Sequence, residues 1–374
     1  MFVFELSGTT ARGNFYCALL FFLIVLIYWK RCTSPAGLAI KAEGGGLLSF
    51  LVVFFAVTAC YTGDFFGYQS LVDSYLPGMD SFHLEKVYEY IITYTKCSYP
   101  LFRIVVWGGA VLCFVLTAKL LKVNLTVSLF IMFLLFTTPF CYARASLAMA
   151  IFFFGLSLWM HGRRNKKIHI VLLGIAILLC SYLFHKSILV LIILTASCFL
   201  PINKKTILPI LIIIGLLGFA VDNMVDSFLD LALGLGDDQL TEKIEYGREM
   251  FEGRQDIKAT LFGWIFLLWQ YIPFYLTFII VSIEMLKKER QASIMADIYR
   301  ITFAIIMLAT LLLVFGSHSY TYFYRYLFMS YIPLSILTVY LYTNGYMSKS
   351  KYSTIIYVCG GYNLCYFLTY LLFL

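Results

Sequence analysis

The sequence predicts an all-α, polytopic integral membrane protein with about twelve transmembrane helices. Three observations carry that prediction. Mean hydropathy is +0.87 over 374 residues, only 13% of residues are charged, and apolar runs of span length recur along the whole chain between short basic loops. A hydrocarbon core of about 30 Å needs roughly 20 apolar residues per helix. The runs at 14–30, 46–61, 99–118, 124–141, 144–161, 168–184, 186–200, 206–221, 260–283, 297–316, 325–343 and 354–374 meet or approach that length. They form a single transmembrane domain over 1–374, with longer loops at 62–98 and 222–259.

The first run does not read as a signal peptide, because Glu5 precedes it and Lys30-Arg31 follow it. Positive charge sets the expected orientation. Loops after odd-numbered spans carry 16 of the 28 basic residues, among them Arg163, Arg164, Lys166 and Lys167, and only Glu43, Glu284, Glu289 and Asp297 among the acids. Those loops are expected in the cytoplasm and both termini outside. The net charge of +8 is then a topology signal, with no nucleic-acid partner implied.

The ten cysteines do not suggest a disulfide framework, since most lie inside spans where they pack as small apolar groups. Cys97 and Cys141 lie nearer the outer face and could pair. No CxxC or His/Cys cluster has metal-ligand spacing, so no metal and no cofactor is expected.

The outer segment 62–98 mixes acids with aromatic residues, including Asp64, Tyr68, Glu85 and Tyr88. In 222–259, Asp237 or Asp238 can cap a helix with an apolar face of Leu240, Ile244 and Phe251, closed by Gly253. That helix, at 237–252, is expected to lie against the membrane beside the site.

Charges beside spans are the candidate functional residues, because an ionised group at bilayer depth costs roughly 2.5–3.5 kcal/mol even on a lenient scale. Four interruptions stand out: Thr62-Gly63-Asp64, Tyr142-Ala143-Arg144, Phe184-His185-Lys186-Ser187 and Tyr324-Arg325-Tyr326. The topology puts all four on the outer side. Spans 6 and 7 are short, so the hairpin with His185 and Lys186 should end below the membrane surface. Span 5 opens with Arg144, followed by small Ala145, Ser146, Ala148 and Ala150, which suit a central helix. The expected result is an outward basic pocket with an aromatic rim of Tyr320, Tyr322, Tyr324 and Tyr326 beside Arg325. Arginine forks grip phosphate bidentately and lysine adds a point charge. A lipid-linked glycan fits such a pocket at the membrane boundary. Each residue also has a plain alternative: Arg144 and Arg325 as snorkelling anchors, the tyrosines as an interfacial belt, and His185, Asp64 and Glu85 as ordinary interfacial or solvated groups.

At these residues the chain resembles the EpsG family of bacterial polysaccharide polymerases, which are related to Wzy-type polymerases. Thr62-Gly63-Asp64 with Tyr68 resembles the family's Gly-Thr-Asp-Tyr segment, and Glu85 through Tyr90 its Glu-x-x-Tyr stretch. Arg144-Ala145-Ser146-Leu147-Ala148 is similar to its Arg-Gln-x-(Ile/Leu)-Ala motif, with Ala145 in place of Gln. Phe184-His185-Lys186-Ser187 matches its Phe-His-x-Ser, and Tyr324-Arg325-Tyr326 resembles its Arg-Tyr element. The resemblance implies a metal-independent, multi-span (GT-C-like) glycosyltransferase in the bacterial inner membrane. Such an enzyme joins undecaprenyl-diphosphate-linked repeat units into capsular, exo- or O-antigen polysaccharide on the outer face. Arg144, Lys186 and Arg325 would then meet the diphosphate, and His185, Asp64 or Glu85 would supply the base. Tyr68, Tyr88, Tyr142 and Tyr324 would face the glycan, and the partners are lipid-linked glycans, the bilayer, and the flippase and chain-length regulator of the same pathway. A lipid-linked oligosaccharide flippase and a multi-span O-acyltransferase are the rival readings. The charge concentrated at outer span ends, the lack of two related halves and a first span without His count against them.

Overall fold

The computed structural model describes residues 8–33, 45–58, 63–75, 85–136, 143–200, 202, 271–287, 293–314 and 326–372. The described residues form helices and turns, with no strand among them. In chain order the helices are α1 (Gly8–Thr33), α2 (Gly45–Thr58), α3 (Gly63–Asp73), α4 (Lys86–Tyr94), α5 (Tyr99–Leu120), α6 (Leu125–Phe136) and α7 (Ala143–Arg164). They continue with α8 (Ile168–Cys180), α9 (Ile188–Leu194), α10 (Ile272–Met285), α11 (Ile294–Val314), α12 (Tyr331–Thr343) and α13 (Lys349–Leu372). Short 3-10 turns extend α8 over Ser181–Leu183 and α9 over Thr195–Phe199.

Five stretches are long and apolar enough to cross a membrane: Phe15–Thr33, Tyr99–Leu120, Ala143–Arg164, Ile294–Leu312 and Tyr326–Thr343. Five shorter apolar stretches accompany them: Gly45–Thr58, Leu125–Leu135, Ile168–Leu183, Ile188–Phe199 and Ile272–Met285. The protein is an all-helical membrane protein. The expected spans at 206–221 and 354–374 differ in outcome: the first lies outside the described residues, and α13 runs through most of the second. The expected helix at 237–252 also lies outside them.

Chain breaks follow local chemistry. α5 starts at Ser98 with Pro100 in its first turn, where a missing N–H costs nothing. Its exit uses Lys122 at φ 55°, and the turn between α7 and α8 uses Lys166 at φ 54°. Among the described residues of 62–98 are α3 and α4, both of which pack against α5.

α7 is central, with 67% of its apolar window buried against 33% for α1. It packs on α5 and lies antiparallel along α8. The α7–α8 contact is made by glycine. A Cβ on Gly155 would sit 2.5 Å from the Leu178 backbone N, and one on Gly162 would sit 2.7 Å from the Val171 N. A Cβ on Gly174 would strike the Trp159 backbone. Small residues let two helix backbones touch in a membrane, where no hydrophobic force drives them together. Tyr326–Thr343 is more buried still, at 83%, and packs against α6, α10 and α11.

Candidate functional site

Gly155 lies 11 residues after Arg144, and His185 lies 11 residues after Gly174. At 1.5 Å per residue, both distances are about 16 Å from the glycine crossing, and in an antiparallel pair they run toward the same end. The α7–α8 contact thus sets Arg144 and the α8–α9 turn level with each other. α4 supplies the third part, because its N-cap residue Glu85 sits between them.

Glu85 joins the other two. Its Oε2 accepts from Arg144 Nη1 at 3.0 Å and its Oε1 accepts from His185 Nδ1 at 3.1 Å. The Lys186 backbone N–H adds a longer bond to Oε1 at 3.4 Å. A carboxylate only accepts, so Nδ1 carries a proton and a neutral His185 ring keeps its lone pair on Nε2. The Glu85 side chain is 10% exposed. Burial works against its ionisation, but the His185 hydrogen bond and the Arg144 charge outweigh burial and bring its pKa down to about 2.

Two tyrosines fix the arginine from the other side. Arg144 Nε–H donates to the Tyr68 hydroxyl of α3 at 2.5 Å, with the guanidinium carbon 5.3 Å from the Tyr68 ring centroid. The Tyr88 hydroxyl donates to the Arg144 carbonyl at 3.0 Å. Tyr88 is fully buried, and its ring meets Phe184 edge-on at 6.3 Å. Burial, the largest influence, pushes its phenol well above the usual range, so it remains an O–H donor.

Six of the ten residues singled out in the sequence therefore share one network: Tyr68, Glu85, Tyr88, Arg144, His185 and, through its backbone, Lys186. Tyr142, Tyr324 and Arg325 lie outside the described residues, as does the side chain of Asp64, whose backbone is part of α3. Several polar groups stay open among the described residues. Arg144 Nη2, His185 Nε2 and the exposed Lys186 ammonium have no bond there, and Ser187 Oγ is buried without a partner.

Arg103 was not among the sequence candidates, although an arginine inside an apolar span was the available signal. It is 1% exposed. Its Nε donates to the Val57 carbonyl at 3.0 Å, its Nη1 to the Tyr99 hydroxyl at 3.0 Å, and its Nη2 to the Ala56 carbonyl. It therefore caps the carboxyl end of α2, where a cation also suits the helix dipole. Cys17 Sγ donates to the Thr58 carbonyl at 3.0 Å and completes that end. Only the four residues 59–62 separate it from α3. Of the two cysteines that could pair on the sequence, Cys97 is a free thiol whose Sγ lies 3.8 Å from the Tyr75 carbonyl, and Cys141 lies outside the described residues. Among the described residues, no group of three or more His, Cys, Asp or Glu could hold a metal ion.

These features define a helical membrane protein with a carboxylate-centred basic site at one end of a glycine-packed helix pair. A model of the EpsG family matches residues 46–374, and the chain belongs to that family. No curated protein and no solved structure matches it.

Proposed function

We propose that the chain is a membrane glycosyltransferase that polymerises saccharide repeat units carried on undecaprenyl diphosphate. In this reading about twelve spans form a GT-C-like bundle in the bacterial inner membrane, and the Glu85 end faces outward. The product is a capsular, exo- or O-antigen polysaccharide. Family membership supports the class of activity. The observation that carries the site is the network itself: one largely buried carboxylate holds an arginine and a histidine side by side, each with a further nitrogen open among the described residues.

The chemistry divides over those groups. The C1–O bond between the growing glycan and its lipid diphosphate breaks, and the non-reducing-end hydroxyl of the next unit bonds to C1. The hydroxyl proton passes to His185 Nε2, whose ring Glu85 orients and whose charged form Glu85 stabilises. Negative charge on the departing diphosphate is met by Arg144 Nη2 and the Lys186 ammonium, with Arg325 as a further donor. Glu85 is too weak a base for the hydroxyl at a pKa of about 2, so its part is to position the pair.

The test is Arg144→Lys in cells lacking the native gene. Lysine keeps the charge but loses the planar fork held by Tyr68 and Glu85 at once. The expected outcome is normal membrane levels of protein, no glycan ladder, and single repeat units on lipid at the outer face. A normal ladder would make Arg144 an anchor, and units trapped inside would favour a flippase.

A further inference from the structure

The far end of α7 carries a second charged cluster that the proposed chemistry does not use. Arg163 and Arg164 lie about 30 Å from Arg144 along a 22-residue helix, and so at the opposite membrane boundary. Asp297 at the start of α11 is 7% exposed and is met by Arg300 Nη1 at 2.7 Å. Arg163 and Arg164 approach the same carboxylate at 3.5 and 4.0 Å. Among the described residues, one acid thus faces three arginines, and the α7–α8 turn adds exposed Lys166 and Lys167.

Arg163 is held in a defined pose while remaining 42% exposed. Its guanidinium carbon lies 5.3 Å from the Trp159 ring centroid and 5.4 Å from that of Phe199. Phe199 and the adjoining Leu200 are exposed, and so are Ile168, Leu172 and Leu173 at the start of α8, just past the same turn. An exposed cation held between two aromatic rings at the boundary, with exposed apolar side chains on the same elements, has two halves to satisfy. A soluble phosphate would meet only the first.

We infer that Arg163, with Lys166 and Lys167, forms a binding site for the phosphate of an anionic phospholipid, whose acyl chains lie on Phe199, Leu200 and the outer face of α8. Basic recesses between membrane helices on the cytoplasmic side hold anionic headgroups by the same charge matching. The site is independent of the polymerase reading and stands or falls without it.

The test uses the purified full-length protein in neutral detergent, with phosphatidylglycerol or phosphatidylcholine added, read by native mass spectrometry and by thermal unfolding. Phosphatidylglycerol should remain bound with saturation at low stoichiometry and raise the melting temperature, with phosphatidylcholine at least tenfold weaker. Lys166→Gln/Lys167→Gln, which touches no ion pair among the described residues, should weaken retention several-fold without changing the lipid-free melting temperature. Adding Arg163→Gln should abolish it. Equal retention of both lipids, or full retention by the triple variant, would overturn the site. So would competition by millimolar inorganic phosphate, which would mark a soluble-anion site.

Discussion

Glu85 has two obligations, and neutralising it breaks both. Glu85→Gln keeps the shape but offers one oxygen and an amide N–H where two acceptors are needed, opposite Arg144 and His185. A loss of about 1–3 kcal/mol is expected, with activity falling further than stability because His185 loses its orientation. The same carboxylate sets a pH window. Its pKa is lowered from 4.5 to about 2 in the folded protein, so its contribution is complete above about pH 4.5 and disappears as pH falls towards 2. Thermal unfolding between pH 6 and pH 3 should show the wild type losing its advantage over Glu85→Gln; parallel curves would mean that Glu85 adds nothing. Tyr68→Phe is the milder change. It removes the acceptor for Arg144 Nε and keeps the ring beneath the guanidinium, so activity should fall about tenfold while expression holds.

At the scale of elements, the α7–α8 pair depends on missing side chains. Gly155→Ala would place a methyl 2.5 Å from the Leu178 backbone N, which no rotamer change relieves. A cost of about 1–3 kcal/mol or more is expected, together with lost activity, because the crossing sets the level of both Arg144 and His185. Gly108→Ala on α5, where nothing lies within 4 Å, is the matched control and should be silent in both readouts. Arg103→Met tests the α2 cap. It keeps the apolar stem but leaves the Ala56 and Val57 carbonyls without their donor, at a cost of about 2–3 kcal/mol read by thermal unfolding in detergent.

For the whole molecule, the chain's hydropathy made the helices legible, because each buries apolar surface all round in protein or lipid. Arg144 and the Phe184–Ser187 turn were legible for the complementary reason, since charge beside a span is costly unless used. What joins them was not. Glu85 is 59 residues from Arg144 and 100 from His185, and only the packing of α4 against α5 and of α7 against α8 brings them together. Arg103 and the Gly155–Gly174 contact stayed hidden because their meaning lies in a neighbour's backbone. Orientation remains a prediction of the positive-inside bias. In a cysteine-free background, a membrane-impermeant maleimide should label Tyr90→Cys on intact cells and Lys166→Cys only after permeabilisation. Reversed labelling would turn the site inward.

The dispersal of the network along the chain also dictates the order in which it is born. Glu85, Arg144 and His185 belong to three segments that leave the ribosome in turn, so carboxylate and guanidinium meet before the imidazole is delivered with the α8–α9 turn. The late arrival is therefore the maturation step of the site. A chain truncated after residue 165, which carries Glu85 and Arg144 but not His185, should leave Glu85 open to a water-soluble carbodiimide, and the full-length chain should close that window.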